Sequence, residues 1–258
     1  AAQLERYTTE QHEAANVAER QLLSQAARPE QLRMAHQPIV RVNDSGSVEV
    51  CYYEALLRPQ HPHFGTPLAL LAAAERQGRV VDVASIVMQE ALASIDRVPS
   101  HQGLFVNLHP EQLGDPEALE ASLRAYASQA HRITLEITER SHLQDIARWD
   151  EAIHVATDMG FSIAVDDLGA GYSSLSILAD LRPQFIKLDM SLVRRLHESP
   201  RKQRLVQLMT TFGAATESAI IAEGVEDEAE AEVLLDIGVS FLQGYFYGRP
   251  SLQASDAA

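Results

Sequence analysis

Between residues 34 and 250 the chain alternates short apolar runs with helical stretches, and this alternation limits the folds open to it. The runs are AHQPIVRV, VEVCYYEALL, LFVNL, ITLEIT, SIAVDD, FIKLD, AIIAEGVE and FLQGYFYG. The turn-rich spacer NDSGS makes the first two a hairpin. Helical character falls over Leu68 to Gly78, Val83 to Ile95, Pro116 to Ala130, Ile146 to Met159, Gln203 to Glu217 and Asp227 to Ile237. Strands separated by helices pair in parallel, with the helices covering the sheet. Seven or eight such units favour an α/β fold closed as a (β/α)8 barrel over an open doubly wound sheet. No GxGxxG or Walker sequence is present, which weakens the open nucleotide-binding folds.

Parity along the strands sharpens this. Alternate residues of a strand face opposite sides of the sheet. Tyr52 and Glu54 share a face, as do Phe105 and Asn107, Thr134 and Glu136, Ala164 and Asp166, Phe185 and Lys187, Ile221 and Glu223, and Phe241 and Gln243. Aliphatic residues hold the opposite faces of several of these strands, where covering helices pack. The polar groups gather at the C-terminal ends, where active sites of such barrels lie. The set is Glu54, Asn107, Glu136, Asp166, Asp167, Lys187, Glu223 and Gln243. Five are carboxylates, and Lys187 alone does not balance them. Burying them together is costly without a counter-charge. All-oxygen donors without clustered cysteine or histidine favour Mg²⁺ or Mn²⁺ over Zn²⁺. Asp166 and Asp167 suit two cations roughly 3.5–4 Å apart, as used in phosphate-ester hydrolysis.

Plainer roles stay open at this point. Asp166 and Asp167 suit a helix N-cap as well as a cation site. Glu54 could be a surface acid at a strand end, and Asn107 could cap the turn before His109 and Pro110. Lys187 and Asp189 could form an ordinary ion pair, and Gln243 could satisfy a backbone group. Arg58, four residues after Glu54, suits a bidentate phosphate contact or the surface. His61 and His63 read as loop residues, and Trp149 and Cys51 as packing groups. No Ser-His-Asp arrangement is visible.

Composition narrows the partners. The formal net charge of −15 disfavours nucleic-acid duplexes and anionic membranes. The single cysteine, Cys51, excludes an intramolecular disulfide and fits a reduced cytoplasmic setting, possible also for the cytosolic part of a larger protein. No apolar run approaches the roughly 20 residues of a spanning helix. Residues 1–33 read as a helical lead-in or linker, either a connector from an upstream domain, a helix packed on the barrel, or a disordered segment. Residues 251–258 read as a flexible tail.

YYEALLR, FVNL, LEITE, DDLGAGYSSL, FIKLD, AEGVE and QGYFYGRP occur in that order. Together they resemble the EAL-domain family, the cyclic di-GMP phosphodiesterases of bacteria, over residues 34–250. The resemblance implies a modified (β/α)8 barrel with one antiparallel strand, and hydrolysis of cyclic di-GMP to linear pGpG. It implies metal ligation by Glu54, Asn107, Glu136, Asp166, Asp167 and Glu223, with Lys187 holding the attacking water and Gln243 as an active-site amide. It implies substrate contacts from Arg58, Leu57 and Asp189. Glu226, Gly169, Gly171 and Ser173 would steady the loop after the aspartates. A homodimer and an upstream sensor or receiver domain are further implications. Leu168, Ala170 and His109 depart from the family pattern, none of them at a ligand. A non-catalytic cyclic di-GMP receptor is the alternative reading, and a barrel enzyme using Lys187 as a Schiff base is a third. Nearby carboxylates would keep that lysine protonated, which disfavours the third.

Overall fold

The structure, a computed structural model, describes residues 15–43, 45–138, 143–169 and 176–252. Eight strands close into one barrel in sequence order. They are β1 (Leu32–Val42), β2 (Val48–Pro59), β3 (Gly103–Asn107), β4 (Ile133–Thr138), β5 (Ser162–Leu168), β6 (Phe185–Leu188), β7 (Ala219–Ala222) and β8 (Phe241–Gln243). β1 is antiparallel to both β2 and β8, while every other neighbouring pair is parallel. The modified barrel and its one antiparallel strand therefore match the expectation.

The helices are α1 (residues 15–26), α2 (Pro67–Arg76), α3 (Val80–Ala93), α4 (Pro116–Leu123), α5 (Trp149–Asp158), α6 (Ser176–Leu181), α7 (Met190–Val193), α8 (Pro200–Thr216) and α9 (Glu228–Asp236). Several start where the sequence supplies a capping side chain followed by proline. Thr66, Asp115 and Ser199 each accept from a backbone N–H of the first turn, before Pro67, Pro116 and Pro200. This cap starts α8 three residues before the expected Gln203. The expected helix from Pro116 to Ala130 instead ends at Leu123 and continues as a 3-10 helix, Arg124–Arg132. Arg132 is held by the carbonyls of Val98, Pro99 and Gln102. A 3-10 helix advances about 2.0 Å per residue against about 1.5 Å for an α-helix, which delivers the chain to that anchor and to β4.

The lead-in contributes to packing. α1 buries Leu23 and Ala26 in the main core, and Glu19 accepts from Arg76 and Gln77 at the end of α2. Ser251 exchanges two backbone hydrogen bonds with His36, which ties down the start of the expected tail. Residues 1–14 and 253–258 lie outside the described residues. No helix of the described residues is long and apolar enough to cross a membrane.

Two apolar clusters divide the interior. The larger lies between the strands and the helices and includes Tyr53, Leu104, Leu135, Ile163 and Ile186. The smaller fills the barrel lumen with Ile39, Phe105, Ala164, Phe185 and Ile221, packed against Tyr52 and Phe241. Its rings meet edge to face, Tyr52 on Phe105 at 5.3 Å and Phe105 on Phe185 at 5.0 Å. The strands carry their site residues directly above this plug.

Candidate active site

One step of two residues separates a lower residue, the polar, buried Thr134 on β4 and a plug member on the others, from the polar layer on seven strands. Tyr52 leads to Glu54, Phe105 to Asn107, Thr134 to Glu136, Ala164 to Asp166, Phe185 to Lys187, Ile221 to Glu223 and Phe241 to Gln243. On antiparallel β1 the step runs backwards, from Ile39 to Gln37, and Gln37 pairs in register with Glu54. Parity read toward strand C-termini overlooks Gln37, because the polar end of a reversed strand is its N-terminal side.

Lys187 sits at the centre, fully buried. Its Nζ lies 2.6 Å from Glu136, 2.7 Å from Glu223, and 3.2 Å from both Glu54 and Asp166. It forms no ordinary pair with Asp189, which instead caps α7 by accepting from Ser191 N–H. An ammonium has three N–H donors, too few for four carboxylates. Accordingly Asp166 Oδ1 and both carboxylate oxygens of Glu136 lack a well-directed hydrogen bond among the described residues, although Glu136 Oε1 lies close to the ammonium. Gln243 donates to Glu54 Oε2 at 2.6 Å, and Asn107 approaches Glu54 Oε1 at 3.5 Å.

Electrostatics follow from this crowding. Burial, reinforced by Glu54 and Asp166, pushes the Glu136 carboxyl well above its ordinary range against the pull of Lys187. Burial likewise raises Glu223 to about 8, opposed by Lys187 and reinforced by Asp166 and Glu54. Burial disfavours the Lys187 charge, but Asp166, Glu136, Glu223 and Glu54 outweigh it and raise that group well above its usual value.

Asp166 and Asp167 are neighbours, so a regular strand would send them to opposite faces. The backbone departs from regularity here. β5 slips register against β6 between Val165 and Leu168, and Asp167 adopts φ 60°. Aspartate tolerates this left-handed conformation better than most residues. The kink lets Asp166, Asp167 and Glu223 offer one oxygen each within 4.8 Å of one another. This donor set, the unsatisfied buried oxygens and the single lysine among five acids fit hard divalent cations.

A cavity of about 380 Å³ opens beside the carboxylates, lined by Gln37, Glu54, Asp167, Glu223, Gln243 and Tyr245 among others. Asp189, Arg194 and Glu226 also face it. Glu226 forms an ion pair with Arg194 of the segment after β6. Gly169, at φ 105°, leaves room only for the Leu192 side chain. Gly171 and Ser173 lie outside the described residues. Arg58 is not drawn into the cluster. It stands four residues along β2 from Glu54, about 13 Å at strand spacing, and donates to the Leu57 carbonyl. The Leu57 side chain lies in the main apolar cluster, and Leu57 pairs in register with Met34 of β1.

Comparison with known proteins gives a consistent picture. The EAL domain family model matches residues 20–250. The bifunctional diguanylate cyclase/cyclic di-GMP phosphodiesterase MucR of Pseudomonas aeruginosa is 31% identical over 237 residues, covering 88% of this chain and 34% of that protein. A solved PaMucR phosphodiesterase, in complex with c-di-GMP, matches at TM-score 0.76 and 31% identity, over 91% of this chain and 98% of the other. A Klebsiella pneumoniae BlrP1 complex with manganese and cyclic di-GMP matches at TM-score 0.75 and 30% identity, over 86% and 56% of the two chains. The chain spans 29–35% of the length of three curated relatives, MucR included.

Proposed function

Because this chain belongs to the EAL-domain family, we propose that it hydrolyses one phosphodiester bond of cyclic di-GMP, giving linear pGpG, with two divalent cations, Mg²⁺ or Mn²⁺. The observation that carries this reading is the carboxylate layer around Lys187, in which Glu54, Glu136, Asp166 and Glu223 all lie within 3.2 Å of its ammonium. Glu54, Asn107, Glu136, Asp166, Asp167 and Glu223 are the residues that would hold the cations. Bound there, divalent cations supply charge neutralisation to the phosphate and acidity to an attacking water.

The chain's own groups do the rest. Lys187 keeps its proton at neutral pH, so it donates to the attacking water and orients it rather than acting as a base or a Schiff-base amine. Gln243 fixes the Glu54 carboxylate through the 2.6 Å hydrogen bond. The apolar plug beneath excludes water from the lumen, which strengthens every charge interaction in the layer above. Arg58, Leu57 and Asp189 contact the substrate along the rim, while Glu226 and Gly169 steady the loop after the aspartates. The same reading places the protein in the cytoplasm as a homodimer, with an upstream sensor or receiver domain in the longer protein. Its partner is then cyclic di-GMP rather than a nucleic-acid duplex.

Chromatography of cyclic di-GMP incubated with purified protein and Mn²⁺ or Mg²⁺ tests the reading. The expected result is pGpG release that a chelator abolishes and that Glu54→Gln lowers by roughly a hundredfold or more. Cyclic di-GMP binding without turnover would replace the enzyme with the receptor.

A further inference from the structure

The cavity beside the carboxylates has two loop walls. The segment after β6 brings Met190 and Arg194 to it, and the segment after β7 brings Gly224 and Glu226. One side chain that does not line the cavity joins these walls. Glu230, in the first turn of α9, is only 2% exposed. Its Oε1 accepts from the Arg195 N–H at 2.8 Å, and its Oε2 accepts from the Glu226 N–H at 2.9 Å. In a capping box the third helical residue turns back to the N–H of the N-cap residue. Here the N-cap is Asp227, which accepts from the Glu230 N–H at 2.9 Å. The Glu230 carboxylate reaches one residue further back and also across to a loop 35 positions away.

The arrangement suits a clamp. A buried carboxylate is tolerated when its oxygens take charge-assisted hydrogen bonds, and the N-terminal end of α9 adds a favourable field. The Arg194–Glu226 ion pair spans the same gap on the cavity side. Lys202 Nζ donates to the Arg194 carbonyl at 2.6 Å and fixes the first wall to α8.

We propose that Glu230 is a positioning residue that sets the separation of the two walls, and so the placement of Arg194 and Glu226 around the ligand. Its catalytic consequence rests on the phosphodiesterase reading; its geometry does not. A helix cap alone would cost stability, whereas a clamp also governs ligand binding.

Amide hydrogen exchange, thermal unfolding and steady-state kinetics on cyclic di-GMP with Mn²⁺, applied to Glu230→Ala, Glu230→Gln and Asp227→Ala, separate the two. For Glu230→Ala, exchange at Arg195 and Glu226 should rise roughly tenfold or more, and KM about tenfold, with kcat within about threefold. Glu230→Gln keeps one acceptor oxygen and should deprotect one amide only, which preserves the comparison if the alanine variant does not fold. Asp227→Ala should lower the unfolding midpoint with KM within about twofold. Unchanged exchange or unchanged KM in Glu230→Ala would overturn the proposal, as would an equal KM rise in Asp227→Ala. Absence of turnover in the unmodified protein would count against the phosphodiesterase reading. Exchange, with calorimetric binding of cyclic di-GMP to the same variants, would then decide the clamp.

Discussion

Two layers of the same barrel, one residue pair apart, are built on opposite principles. The lower layer is Ile39, Phe105, Ala164, Phe185 and Ile221, with Tyr52 and Phe241, closed by edge-to-face rings. Its groups are satisfied by packing. The upper layer is Gln37, Glu54, Asn107, Glu136, Asp166, Lys187, Glu223 and Gln243, and it holds more buried negative charge than Lys187 can answer. Burial stabilises the lower layer, whereas the crowding of buried like charges destabilises the upper one. Destabilised functional sites on stable supports are expected on general grounds. Here the boundary falls between consecutive inward-facing residues of each strand.

The difference can be broken most forcefully at Lys187. Lys187→Met leaves four acids without their shared cation, so stability of the metal-free protein should fall by about 3–5 kcal/mol, with turnover reduced beyond detection. Denaturant unfolding with and without Mn²⁺ reads this, and added Mn²⁺ should return part of the loss. Phe185→Ala, one step lower on β6, should cost about 3–5 kcal/mol through its cavity. That loss should respond to neither Mn²⁺ nor pH. If the two variants responded alike to Mn²⁺, the layers would not differ as described.

A smaller effect follows from pH. Glu223 is raised to about 8 by burial, with Asp166 and Glu54 reinforcing, and Glu136 is raised also. A carboxyl raised on folding contributes stability that is full below its unfolded value, about 4.3, and is lost as pH rises through the folded value. Metal-free protein should therefore unfold at a lower temperature at pH 8.5 than at pH 6, and Glu223→Gln should flatten that slope. A steeper slope in the variant would contradict the assignment of the charge imbalance to this layer.

Much of this was legible in the residue order. Alternation placed seven of the polar groups on one face and at one end, and the plug residues two positions earlier were visible with them. Gln37 escaped because β1 runs the other way, so its inward polar residue precedes Ile39 rather than following it. Asp167 reads as pointing away from Asp166 on any regular strand; only the left-handed φ of 60° and the register slip bring both to Glu223. Glu230 left only the capping-box spacing after Asp227, which signals a helix start but not the partner on the other loop. For Arg58 and Leu57, motif proximity to Glu54 did not show how far apart these groups stand: Arg58 lies four residues along β2, and the Leu57 side chain packs in the helix-facing core.

The central claim is that the upper layer is held against its own charge until cations arrive. Thermal unfolding of the unmodified protein and of Glu136→Gln, each with and without saturating Mn²⁺, tests it most directly. Glu136 is fully buried beside Glu54 and Asp166 and shares the one Lys187 ammonium with three other acids, so the neutral isostere should raise the metal-free midpoint and shrink the Mn²⁺-dependent gain. Equal midpoints without metal, together with an equal gain from Mn²⁺, would contradict the account.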